Sequence, residues 1–321
     1  KLHLPLGVSF YTFHAISYLV DVYRQKTPPQ KNLLRLGLYL ALFPKLVMGP
    51  IVPYHELEPA LAQRTPSVQD VSDGCFRFTI GLAKKALLAD ALAGLMSLCG
   101  SCEDVVTGIW GDLASLTVLS AWLGLIGYAL QLYFDFSGYS DMAIGLGRML
   151  GFRFPENFRY PYLCSSISDF WRRWHISLGS WFKEYLYFPL GGSRTGTLRN
   201  LLLVWLATGL WHGASWNYVL WGLYFGVLIC LEKLLAPRFR AHPRKGLLAG
   251  LYRPVCLLLA VLGWVLFRAE DLPAAGRYFA CLFGGAAGAS AQARLYLHDF
   301  WPVLLLGAVG ATPLCAKLAG R

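Results

Sequence analysis

Two places in this chain bring together residue types that could do chemistry: His212, and the run SDFWRRWH at 168–175, which ends in His175. His212 closes the apolar stretch LLLVWLATGLWH (201–212), and the nearest upstream charge is Arg199. At 1.5 Å per helical residue that offset is roughly 20 Å, past the middle of a hydrocarbon core about 30 Å thick. An ionisable ring so deep is costly, and such side chains are usually kept for a pathway or a reaction. A neutral imidazole there can take the proton of a hydroxyl as that hydroxyl attacks an acyl carbon. Trp211 stands beside it, and Gly213 and Ala214 are small enough to let another group approach the ring. The competing reading is a histidine that only hydrogen-bonds across helices to hold a bundle together.

The second place is denser in charge. Asp169 lies three and four residues before Arg172 and Arg173, so the three can share a helical face and pair. Planar guanidinium groups suit bidentate contacts with the phosphates of an acyl donor, or equally with lipid headgroups, and the residues alone leave both open. His175 is expected within an amphipathic helix, with Asp169 to orient it. Asp135 and Asp141 flank FSGYS (136–140) between two apolar runs and read as caps at a helix break. His14 sits on an aromatic face and reads as packed; His55 and Glu56, after Pro53, read as loop residues. Cys99 and Cys102 have CxxC spacing, but no second pair accompanies them, so chance spacing in a loop is the better account. No histidine pair or His/Cys cluster has metal-ligand spacing, so no metal is expected.

The elements that must position these groups are set by composition. Of 321 residues, 56% are hydrophobic and only 15% charged, with a mean hydropathy of +0.46. That balance excludes an ordinary soluble domain, with its roughly 25% of charged residues, and predicts an all-α polytopic membrane protein. Candidate embedded segments are 4–20, 32–50, 75–100, 114–134, 138–151, 200–212, 215–235, 247–268 and 302–318. Several are short for a simple span, and MGPIVP (48–53) carries two prolines, so re-entrant or broken helices are expected. The glycines of GLGRMLG (145–151) are read as close helix packing, because their spacing misses the dinucleotide fingerprint.

Residues 148–199 differ in kind: eight cations face three carboxylates among thirteen aromatic residues. This is the composition of an amphipathic element lying at headgroup level among membrane lipids, and the positive-inside tendency puts it on the cytoplasmic side. The net charge of +11 is dispersed between apolar segments, which excludes a nucleic-acid-binding face. The chain is read as a single membrane-embedded domain over 1–321. Because it opens on Lys1 and enters an apolar stretch at once, a fragment lacking N-terminal helices is expected. Broken helices and intramembrane polar groups also suit a transporter of a saccharide or acyl precursor, and a scaffold that recruits a separate enzyme is a third reading.

Three blocks then carry a resemblance: QLYFDFSGYSDMAIGLGRMLGF (131–152), NFRYPYLCSSISDFWRRWHISLGSWFKEYLYFPLGGSR (157–194) and TGLWHGASWNYVLWGLYFG (208–226). With weaker support from 8–24, 43–54 and 264–271, the chain resembles the membrane-bound O-acyltransferase family, in its branch of alginate O-acetylation proteins. The resemblance implies a helical bundle around a central funnel, with His212 as the histidine on which catalysis depends and His175 as a second catalytic histidine. Asp169, Arg172, Arg173 and Trp211 become candidates for binding donor or acceptor. It further implies no bound cofactor and acetyl-CoA as the acyl donor from the cytoplasm. The expected acceptor is a periplasmic or surface acetyltransferase that serves a polysaccharide such as alginate. D-alanyl transfer to a cell-wall polymer is the related alternative, and the expected location is the bacterial inner membrane.

Overall fold

The computed structural model describes residues 7–98, 116–241 and 247–318, and the Cys99–Cys102 pair lies outside them. Among the described residues the regular structure is helical, with no strand. Among the described residues, three helices are long and apolar enough to cross a membrane: Val118–Met149, Trp216–Leu235 and Leu251–Arg268.

The chain divides into two compact units. The first comprises Lys1–Ala86, Phe134–Arg159 and His175–Leu186, and the second Leu87–Tyr133, Tyr160–Trp174 and Tyr187–Arg321. In the first, α1 (Val8–Tyr23) is followed by α2 (Leu33–Ala41), whose amides Leu34 and Arg35 are capped by the Asn32 side chain. The helix stops at Leu42, one residue before a short 3-10 turn over Phe43–Lys45 with Pro44 at its start. Residues 46–53 then run without helix, so the break expected around MGPIVP begins somewhat earlier. Next come α3 (Tyr54–Ala62) and α4 (Val68–Ala83). A reciprocal capping box between Ser67 and Asp70 starts α4 earlier than the expected 75. A π-helical turn, Lys84–Ala89, carries the chain without interruption into α5 (Asp90–Leu98).

The expected segments 114–134 and 138–151 are one helix, α6 (Val118–Met149). Asp135 and Asp141 are therefore interior helical residues, not caps. Within the first unit Asp141 pairs with Arg77 at 2.6 Å and Lys84 at 2.6 Å, while Asp135 pairs with Lys85 at 2.8 Å. Gly138 does not end the helix because α4 packs directly on it. A Cβ there would stand 2.7 Å from the Gly81 carbonyl oxygen, and one on Gly145 would stand 2.5 Å from that of Gly74. Close packing is thus the role of Gly145, as its sequence context suggested. The unit's core gathers Tyr39, Leu42, Val52, Tyr54, Leu57, Leu61, Phe152 and Phe154.

The 148–199 segment leaves α6 through an extended stretch and then forms two short helices, α7 (Ile167–Trp171) and α8 (Ile176–Phe182). In the second unit, α9 (Thr197–His212) and α10 (Trp216–Ala241) form a hairpin, followed by α11 (Leu247–Arg268) and α12 (Leu272–Leu282). α13 (Ala291–Gly310) and α14 (Leu314–Leu318) replace the expected 302–318. Ser290 caps α13 well before the purely apolar stretch, and Pro302 is tolerated inside it.

Candidate active site

His212 is the last residue of α9, with an unbroken helix between it and Arg199. Helices α9 and α10 are antiparallel and exceptionally close. A Cβ on Gly209 would lie 2.4 Å from the Tyr218 carbonyl oxygen, and one on Gly222 would lie 2.4 Å from that of Trp205. Because the obstruction is backbone, neither helix can yield by moving a side chain. The first turn of α10 is tied to the residue after α11, where the Asn217 side-chain amide donates to the Ala269 carbonyl at 2.7 Å. These constraints hold the histidine's backbone from both sides.

The ring itself stands among aromatic neighbours. Trp221 and Phe267 meet it edge to face at 5.0 and 4.9 Å between centroids, Trp211 lies at 4.5 Å and Tyr218 at 6.3 Å. The residue is half-buried. No described residue hydrogen-bonds to either ring nitrogen. A histidine that merely tied helices together would hold such a partner. The arrangement fixes the imidazole by aromatic packing.

Gly209→Ala and Gly222→Ala are each expected to destabilise the protein by about 1–3 kcal/mol, as overpacking does. Gly276 in α12 is the control: a Cβ there meets nothing within 4 Å, so Gly276→Ala should leave thermal unfolding unchanged or slightly raised. Unchanged melting of both hairpin variants in detergent would contradict the close-packing account.

α7 belongs to the same unit. Asp169 pairs with Arg173 at 3.0 Å and, more loosely, with Arg172 at 3.8 Å, as the spacing predicted. Burial alone would push the Asp169 carboxyl up, but the Ser165 amide at 2.9 Å and Arg173 hold it below its ordinary value. Arg173 is therefore engaged within the chain. The Arg172 side chain is 73% exposed and is the guanidinium more available to an anion.

His175 lies in the first unit and departs from the expected helical setting. It is the N-cap of α8, in the left-handed region at φ 46°, a conformation uncommon for a residue with a side chain. Asn157, not Asp169, orients it: Nδ1 stands 3.1 Å from Asn157 Oδ1. The same oxygen accepts from the Ser177 amide at 3.2 Å and the Ser177 hydroxyl at 2.9 Å. A backbone amide can only donate, so the Asn157 atom is the oxygen and His175 Nδ1 carries the proton. In the neutral ring the lone pair is then on Nε2. Phe136, 4.7 Å away and perpendicular, and Phe10, stacked at 6.5 Å, complete the buried setting. His175 belongs to the first unit and His212 to the second.

His14 is fully buried against Tyr39, matching its packed reading. His55 and Glu56 are helical residues of α3, not loop residues. His55 Nδ1 lies 2.7 Å from the buried carboxylate of Asp21, which also accepts from the Tyr185 hydroxyl at 2.9 Å. Sequence reasoning missed Asn157 because it is remote in sequence from His175 and has no telltale spacing. It also passed over Glu232, an acid within an apolar run, which the cost of burying charge in a membrane could have flagged.

Residues 11–260 match the membrane-bound O-acyltransferase family. The chain is 46% identical over 287 residues to a probable alginate O-acetylase of Pseudomonas fluorescens, covering 87% of this chain and 54% of that protein. It is 36% identical over 306 residues to a peptidoglycan O-acetyltransferase of Helicobacter pylori, covering 85% and 56%. It is 28% identical over 241 residues to a teichoic acid D-alanyltransferase of Bacillus subtilis, covering 70% and 58%. The chain therefore spans about half the length of the curated relatives it matches.

Proposed function

We propose, from the premise that this chain belongs to the membrane-bound O-acyltransferase family, that it forms the histidine-bearing part of an enzyme acylating a hydroxyl. The acyl group is acetyl, its donor is acetyl-CoA on the cytoplasmic side, and its destination is an extracytoplasmic polysaccharide or the partner acetyltransferase serving it. Two of the relatives named above are O-acetyl-transferring proteins, which supports acetyl over D-alanyl. The setting is a bacterial inner membrane.

The observation that carries this reading is His212: an imidazole held by aromatic packing, half-buried, with no described residue bonded to its nitrogens. In the reaction the imidazole takes the proton of the acceptor hydroxyl as its oxygen forms a bond to the acyl carbon. The carbon–sulfur bond of the thioester then breaks, the imidazolium gives that proton to the departing sulfur, and the thiol leaves. His175 positions donor or acceptor through its Nε2 lone pair, Trp211 lines the ring of His212, and Arg172 and Arg173 meet donor phosphates, with Asp169 setting their geometry.

The test is the full-length protein in vesicles, supplied with acetyl-CoA labelled in the acetyl group. Label on an acceptor hydroxyl or on the protein is the expected result. Unmodified solute crossing the vesicle wall without transfer would overturn it in favour of transport.

A further inference from the structure

Glu232 lies within the apolar helix Trp216–Leu235, where a carboxylate is expensive. Its four acceptor positions are all used. Oε1 accepts from the Ile167 amide at 2.6 Å and the Tyr252 hydroxyl at 2.5 Å; Oε2 accepts from the Ser168 amide at 2.8 Å and the Ser168 hydroxyl at 2.6 Å. A carboxylate offers about four lone-pair sites, so this one is committed as an anchor.

What it anchors is α7. A helix of five residues does not hold itself together, because nucleation costs more than so few hydrogen bonds return. Glu232 satisfies its first two amides and Ser166 the third, at 2.9 Å from Asp169 N. Held in this way, α7 inserts Trp171 into a cluster of aromatic rings: Trp205 at 4.7 Å, Phe225 at 4.8 Å and Trp221 at 5.5 Å. Trp221 is the ring that meets His212 edge to face at 5.0 Å. A continuous set of contacts within one unit thus runs from the carboxylate, through α7 and two indoles, to the imidazole.

We infer that Glu232 is a positioning residue of the acyl-transfer site, holding α7 so that Trp171 and Trp221 form a fixed wall against His212. The inference rests on the acyl-transfer reading of His212. In purified full-length protein, Glu232→Ala should lower kcat by at least about tenfold, since small misplacements near reacting atoms cost that much or more. The KM for acetyl-CoA should stay within about threefold, because the loss falls on the transition state. Carbethoxylation of His212 by diethylpyrocarbonate, followed by mass spectrometry, should quicken by about threefold or more as the wall loosens. Glu232→Gln, which keeps one acceptor oxygen, should fall between.

A folded Glu232→Ala protein with wild-type kcat overturns the inference. So does a fall in kcat with unchanged His212 modification, because the loss then does not pass through the wall. Should that variant not accumulate, Tyr252→Phe and Ser168→Ala each remove one donor and should shift both readouts the same way; wild-type values in both overturn it. The modification arm does not depend on catalysis by His212. If His212→Ala proves fully active, the acyl-transfer reading fails while the modification rate in Glu232→Ala still decides whether the wall exists.

Discussion

His212→Ala in the full-length protein should lower acyl transfer by about 10²–10⁴-fold, the usual loss when a general base is removed. The ring has no described hydrogen-bond partner to be orphaned by its removal, so the change takes away a proton acceptor without leaving a buried donor unmade. It does empty a space between Trp221 and Phe267, and His212→Gln, which refills much of that volume, separates the two effects. Both variants should reach the membrane at wild-type level and melt close to the parent in detergent. Labelled acetyl transfer would be the readout. Retention of full transfer by either variant, at equal membrane abundance, rules out His212 as the base.

Asn157→Ala should rank next. One buried oxygen accepts from His175 Nδ1, the Ser177 amide and the Ser177 hydroxyl, and its loss leaves buried donors with nothing to replace it. The expected destabilisation is on the order of 3 kcal/mol, at about 1–3 kcal/mol for each buried group left unsatisfied. Transfer should fall about 10²-fold in the protein that remains folded, because the hydrogen bond that sets the orientation and tautomer of the imidazole is lost. Asn157→Asp separates structure from chemistry. It retains an acceptor, so folding is largely kept. A carboxylate beside the ring favours its charged form and raises the pH at which His175 loses its second proton. The Nε2 lone pair is then present only above that higher pH, and the pH–activity profile should move upward. An Asn157→Asp profile identical to wild type would remove His175 Nε2 from the reaction.

Local features of the chain reveal much of this architecture. Sustained hydropathy locates α11 over the same residues as expected, and nearly so for α9 and the span of α10. The prolines after Leu42 announce an irregular stretch whose missing amide donors make it so. The Asp169–Arg173 pair is legible because neighbours four apart on a helix must meet. His212 is conspicuous as an ionisable ring at the end of an apolar run, whatever surrounds it. The break expected near Asp135 fails for an equally physical reason. Serine, glycine and aspartate look like a helix end only while no partner is in view; α4 supplies the close backbone contact and Arg77, and the π-helical turn after it supplies Lys84 and Lys85.

By itself, then, the amino-acid order determined a helical membrane protein, its family blocks and the two histidines, because hydropathy and short-range spacing are properties of neighbouring residues. Tertiary structure alone decided which side chains surround those histidines and hold α7. Asn157 faces His175 from 18 residues away, and Glu232 caps α7 from 65 residues away. Such pairings carry no periodic signal, since they follow from which helix faces pack together; the left-handed turn at His175 and the aromatic wall against His212 are consequences of that packing.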